Sequence, residues 1–384
     1  MIDKEFLMIP GPTPLPPRVI AAMTQPMVNH RGPRFKKIFT EATVTIKEVF
    51  NCSGDVYLIP SSGTGAMELA VENFTKIGDK VLVVDTGFFG ERFYKINTAH
   101  GRNAIRLEVP WGRAAHPEEI AEALKSNLDV KAVFLTHNET SSTIINNIKE
   151  IASKIREISD AFVVVDAVSS IGIAKIDMDN WGLDVVVAAS QKGLMSPPGI
   201  GIVGISKRAL EYAIQNGSEA FYFSVKELKR NADLGQPFTT FPVSDFFGLR
   251  EGLKMLREEG FENAYKRHAI YKNLVRASLR ELNLKFIAND TDASPCVTGV
   301  YAPEGISVDD IVKTMREHYN VEIASIQGQL KGKAFRIGHM GFINSNDLLV
   351  TTAAIECTLK DLGFAFELGK GVNKFLELRR NYEV

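Results

Sequence analysis

The sequence predicts an α/β fold: a mostly parallel seven-stranded sheet covered by helices, with a smaller α+β C-terminal domain. Three observations lead there. Seven short apolar runs, rich in β-branched residues, recur between positions 55 and 206. Helical periodicity fills several gaps between them, at 65–77, 117–127 and 145–158. Beyond about position 283 the pattern changes to shorter strand and helix signals. Alternating strand and helix implies parallel pairing with helices on both faces.

Taken in order, residues 1–20 predict an arm that packs on the small domain or on a dimer partner. Pro10, Pro12, Pro14, Pro16 and Pro17, with Gly11 among them, favour extended chain over helix. Helical periodicity then runs from near Arg34 to Phe50. The strand candidates are DVYLIP (55–60), KVLVVD (80–85), AIRLEV (104–109), KAVFLTH (131–137), AFVVVDA (161–167), DVVVAAS (184–190) and GIGIVGIS (199–206). They read as apolar on both faces, as covered strands do. About ten residues join the last two, too few for a helical crossover, so an antiparallel step is expected there. Residues 207–234 read as polar helix and GQPFTTFPV (235–243) as a proline-bounded loop. A long helix over 243–282 should break near Gly260. LKFIAN, CVTGVYAP, VDDIVKTMREHY, KAFRIGHMG and NDLLVTTAAIECTLKDLG then alternate short strands with helices. The expected large domain is 21–260 and the small domain 261–384.

The 384 residues allow a large domain plus a smaller one. Hydrophobic residues make up 45% and charged residues 24%, as in soluble globular chains. A net charge of −1 points to neither a nucleic acid nor a membrane surface as partner. No apolar run is long enough to span a bilayer, and the start lacks a signal-peptide pattern. Cys52, Cys296 and Cys357 are scattered, which indicates neither a disulfide framework nor a zinc site. A cytoplasmic enzyme is the expectation.

Ligands of such sheets sit beyond the carboxyl ends of the strands. After the first strand, Ser62, Gly63 and Thr64 precede a helix, where hydroxyls and free N–H groups suit a phosphate. A plain helix cap is the alternative. The segment is no dinucleotide fingerprint, since Glu68 stands about where the third glycine should, and no Gly-Lys-Ser/Thr of a P-loop follows. After the second strand, Phe89 either stacks on a flat ligand or belongs to the core. Asp166 ends a strongly apolar strand, so its carboxylate is paired, exposed or functional. Lys192 follows 26 positions later in ASQKGLMSPPG, at the end of the next strand. A lysine between apolar walls has a lowered pKa and becomes a nucleophile toward an aldehyde. Phosphate cradle, stacking ring, aspartate and lysine together describe a pocket for pyridoxal 5'-phosphate. Lys192 would form the Schiff base and Asp166 would keep the pyridine nitrogen protonated, which makes the ring an electron sink.

At these residues the chain resembles the class-V, fold type I pyridoxal-phosphate aminotransferases, on the serine–pyruvate/alanine–glyoxylate branch. PGPTPLPPRV, SSGTGAME, VVVDAVSSIG, ASQKGLMSPPGIG and FRIGHMG carry the resemblance, in family order and over nearly the whole length. It implies Lys192 as the Schiff-base lysine and Asp166 as the pyridine partner. Val168 would pack on one ring face and Phe89 on the other, where many relatives have tryptophan. Ser62, Gly63, Thr64 and Gln191 would bind the phosphate, and Thr140 of HNETSS the ring hydroxyl. Arg336 would clamp the substrate carboxylate, with Gly11 of the arm at the same end. The family's homodimers imply that Thr240 reaches the neighbouring phosphate; some relatives have tyrosine where Pro237 stands. The implied reaction moves an amino group from serine or alanine to pyruvate or glyoxylate by a ping-pong cycle. Alternatives within the fold are an aminotransferase for another amine, such as 2-aminoethylphosphonate, a desulfurase or lyase, and a non-catalytic subunit. No cysteine lies in an evident mobile loop, as a desulfurase requires, and no histidine is assigned a role.

Overall fold

The computed structural model describes residues 4–382. All seven predicted runs form strands of one sheet: β1 (Asp55–Pro60), β2 (Lys80–Asp85), β3 (Asn103–Glu108), β4 (Ala132–Thr136), β5 (Phe162–Asp166), β6 (Val185–Ala189) and β7 (Ile200–Ile205). Their spatial order is β1-β7-β6-β5-β4-β2-β3. Only β7 runs against its neighbours, pairing Gly201 with Ala189 on one side and with Ile59 on the other. The short connection therefore does what its length requires.

Side chains of each inner strand alternate between two apolar clusters, one on each face. On β5, Val163 and Val165 enter one cluster and Val164 the other. On β6, Val186 and Ala188 oppose Val185 and Val187. Burying such a side chain contributes about 1.5–3 kcal/mol, so both helical layers are held by the same strands. β3 departs from expectation. It is the sheet edge and alternates between exposed and half-buried residues, and its Arg106 pairs with Asp85 on β2 at 2.6 Å.

Four helices matter for the site: α1 (Pro17–Met23), α2 (Pro33–Phe50), α3 (Gly63–Phe74) and α4 (Phe88–Ala99). The arm was expected to stay extended through Pro17, yet Pro17 opens α1. At the first helical position its missing N–H costs nothing. The predicted break at Gly260 separates helices Val243–Glu259 and Phe261–Arg280, and Gly260 has φ +85°. The polar 207–234 segment is two helices, Lys207–Asn216 and Val225–Ala232.

Beyond Gly260 a further apolar cluster forms around Leu274, Leu279, Phe335, Ile337 and Phe375, and it includes Met8 of the arm. Its antiparallel sheet pairs Ala334–Gly338 with Val297–Tyr301 and Ala324–Ser325. LKFIAN does not form the expected strand. Only Phe286 bridges to Val300 there. The arm pairs Phe6–Leu7 with Val321–Glu322, and Met8 accepts a hydrogen bond from the Gly338 N–H at 2.7 Å. Among the described residues no helix is long and apolar enough to cross a membrane.

Candidate active site

β5 delivers Asp166 as its last residue, with its side chain buried. Oδ1 accepts from the Val168 N–H at 2.8 Å. Loss of water pushes the carboxyl up to about 7; the Val168 hydrogen bond, Arg92 and Lys192 oppose this, and the charge of Glu139 adds to it.

On the neighbouring strand β6, the turn that follows Ala189 holds Lys192. Ser190 fastens this turn by donating to the Pro197 carbonyl at 2.5 Å, and the Met195 N–H donates to the Lys192 carbonyl at 3.0 Å. Desolvation lowers the Lys192 amine to about 8. That amine donates to the Pro10 carbonyl of the arm. Gly11, at φ +107°, lies against the lysine stem; a Cβ there would fall 2.4 Å from Nζ. Thr13 completes the clasp, with its N–H on the Gln191 carbonyl at 3.1 Å and its hydroxyl on the Lys192 carbonyl at 3.1 Å.

At the end of β1, Ser62 does cap α3, accepting from the Gly65 N–H at 3.4 Å. The capping alternative is therefore real, and it does not exclude an anion. The first N–H groups of a helix have no intrahelical acceptor, and those of Gly63 and Thr64 open this one. A Cβ at Gly63 would sit 2.8 Å from Val168, so glycine is what lets the turn approach the β5 loop.

These parts line one cavity of about 200 Å³. Ser62, Gly63, Thr64 and Gln191 are in its lining, together with Phe89, Thr140, Asp166, Val168 and Lys192. The side-chain oxygen of Gln191 is buried without a partner, which suits an amide awaiting a polar ligand. Three predicted residues do not line this cavity. Gly11 lies behind Lys192, and Thr240 is exposed on the 235–242 loop. Arg336 sits on the Ala334–Gly338 strand, buried, donating to the carbonyls of Thr140 (3.2 Å) and Ser325 (2.9 Å). Its Nε has no partner, and desolvation lowers its pKa to about 10. Among the described residues no carboxylate is within ion-pair distance of it. A buried guanidinium left this way is costly unless an anion joins it.

Sequence reasoning missed several neighbours. Arg92, Asn138 and Ser169 line the cavity. Asn138 donates to the Ser169 hydroxyl at 2.9 Å and accepts from Ser294 at 2.5 Å. Glu139, fully buried, accepts from the N–H groups of Phe89 (2.9 Å), Gly90 (3.1 Å) and Ser141 (3.0 Å). It ties the start of α4, and hence Phe89, to the β4 turn. One signal was available: Arg92 follows Phe89 by three positions, so helical spacing puts both on one face. Cys296 is buried near Lys192, and burial pushes its thiol up to about 12, which makes it a poor nucleophile.

The family model described as "Aminotransferase class-V" matches residues 5–334. The chain belongs to the class-V aminotransferases. This class-V aminotransferase is 37% identical to the serine–glyoxylate aminotransferase of Methylorubrum extorquens, over 96% of this chain and 94% of that one. It is 38% identical, over 97% of each chain, to a Synechococcus protein named the small subunit of a soluble hydrogenase. Among solved structures, the ureidoglycine–glyoxylate aminotransferase of Bacillus subtilis superposes with a TM-score of 0.94, at 28% identity over 99% of both chains. As an aminotransferase, the chain needs a group that accepts and releases nitrogen, and one cavity is lined by an amine, a carboxylate and a helix start with open N–H groups.

Proposed function

We propose that this aminotransferase is a cytoplasmic enzyme that binds pyridoxal 5'-phosphate in the 200 Å³ cavity. It moves an amino group from serine or alanine to glyoxylate or pyruvate. One observation carries the reading. A desolvated lysine and a buried aspartate, at the ends of adjacent strands, face the same space as a helix start with open N–H groups. The unpartnered Gln191 oxygen and the glycine-dependent approach at Gly63 fit the same group.

Ser62, Gly63, Thr64 and Gln191 would hold the phosphate, Val168 and Phe89 the ring faces, and Thr140 the ring hydroxyl. The bound cofactor supplies an electron sink for the substrate's α-carbon. Lys192 would hold the cofactor through its amine at rest. The same amine would carry the substrate's Cα proton as general base and acid. A pKa near 8 leaves it free to do both near neutral pH. Asp166 would keep the ring nitrogen protonated, and a cation beside it would lower its own pKa from about 7. Arg336 binds the substrate carboxylate, which gives this buried cation the anion it lacks.

Glyoxylate as acceptor is supported by the names of the relatives, which pair it with serine, aspartate or ureidoglycine. Serine or alanine as donor rests on the family resemblance. A panel of serine, alanine, aspartate and 2-aminoethylphosphonate against glyoxylate and pyruvate decides among them. Lys192→Ala should abolish turnover and the visible absorbance of the bound cofactor, and retained turnover would overturn the assignment. The hydrogenase-subunit name of one relative favours a second reading, an accessory subunit without its own catalysis. An absorbance scan before and after borohydride separates the two, since an accessory chain need hold no reducible cofactor.

We also infer a homodimer. Exposed Phe221 stacks edge-on against Phe238 at 5.6 Å beside the loop that carries Thr240. Such an aromatic face supports coverage by a second copy, whose cavity Thr240 would reach.

A further inference from the structure

Arg92 has no assigned role, yet its guanidinium points at the cradle. We propose that Arg92 is the counter-charge of the cofactor's phosphate, binding it jointly with Thr64. The proposal rests on the reading of the cavity as a pyridoxal-phosphate site.

The residue sits one turn into α4, where it lines the cavity. Its Nη1 donates to the Thr64 hydroxyl at 2.9 Å, the only hydrogen bond that its guanidinium makes among the described residues. None of their carboxylates pairs with it. A guanidinium carries five N–H donors, so most of this one is uncommitted. It lies 4.7 Å from the Phe89 ring centroid and 5.3 Å from that of Phe88. The two rings pack against the guanidinium.

Charge balance gives the reason. A phosphate monoester carries about −1.5 to −2 near neutral pH. Ser62, Gly63, Thr64 and Gln191 are all neutral, and a helix start supplies only about half a positive charge. Arg336 does not line the cavity and is assigned to the substrate carboxylate. Lys192 is reserved, on that reading, for the ligand's aldehyde. Of the cavity's charged residues, Arg92 alone is a cation free to face the phosphate. Bound there, its uncommitted N–H groups would gain an anionic acceptor in addition to the neutral Thr64 hydroxyl.

A second function for the same side chain would be purely mechanical: holding Phe89 by cation–π contact. The two differ in what they recognise. Cofactor-free protein, full length, is titrated with pyridoxal phosphate and separately with pyridoxal, which lacks the phosphate; binding is read by visible absorbance. Arg92→Gln should weaken pyridoxal phosphate on the order of 10- to 100-fold and leave pyridoxal nearly unchanged. Arg92→Lys, which keeps the charge, should recover part of the loss. Phe89→Leu should weaken both ligands alike. Equal losses for both ligands in Arg92→Gln, or no loss at all, would overturn the proposal. A parent protein that binds pyridoxal phosphate no better than pyridoxal overturns the phosphate reading of the cradle itself. If Arg92→Gln is unstable, the comparison of the two ligands on Arg92→Lys still decides, because the lysine's shorter reach should cost only the phosphorylated one.

Discussion

Asp166 titrates near pH 7 in the folded chain because burial strips water from its carboxylate. An unfolded aspartate titrates near about 3.9. Between those values the folded state holds a proton that the unfolded state has lost, so stability is fullest at low pH and falls as pH rises. Cofactor-free protein should therefore show a denaturation midpoint that drops from about pH 4 to about pH 7, and Asp166→Asn should flatten the drop. An equally steep profile in the variant would place the cause elsewhere. Adding cofactor should flatten it too, since a ring cation keeps the carboxylate charged. Asp166 and Lys192 were legible in the sequence because each interrupts an apolar strand at its end. Glu139 was not, and Arg92 only through its helical spacing from Phe89. Glu139 looks like an ordinary charged residue in the sequence, and only the meeting of α4 with the β4 turn gives it its surroundings.

At the scale of elements, the strand-to-turn corners are what position the chemistry. The antiparallel return of β7 could be inferred from loop length alone, and the Gly260 break from one glycine within a helical period. LKFIAN failed because a short apolar run does not say whether a partner strand is in reach; here only Phe286 finds one. The tie between elements with most at stake is Glu139. In Glu139→Ala the N–H groups of Phe89, Gly90 and Ser141 lose their acceptor. Buried donors left unpaired cost about 1–3 kcal/mol each, so urea denaturation should show a loss of at least about 2 kcal/mol. Cofactor affinity should fall with it, because Phe89 is no longer held. A variant as stable as the parent would mean that other acceptors replace the carboxylate.

Across the whole molecule, the arm joins what the sequence divides. We propose a division near Gly260, beyond which a cluster separate from those on the two sheet faces forms, and Met8 belongs to it although it is far away in sequence. The proline-rich composition disclosed an extended arm, but not which surface it crosses, because that depends on strand Ala334–Gly338 being in place. Removing residues 1–12 should lower the denaturation midpoint and speed cofactor loss on dialysis, with the far-UV spectrum of the sheet and helices largely kept. Unchanged cofactor retention would make the contact between Pro10 and Lys192 incidental.

That contact also sets an order of events. Pro10 is synthesised 182 residues before the lysine it covers, and the Gly338 N–H that holds Met8 comes later still. The arm therefore cannot be anchored over the lysine until residue 338 has been made. A copy truncated before Gly338 should keep the amine but lose the anchor of the carbonyl that holds it.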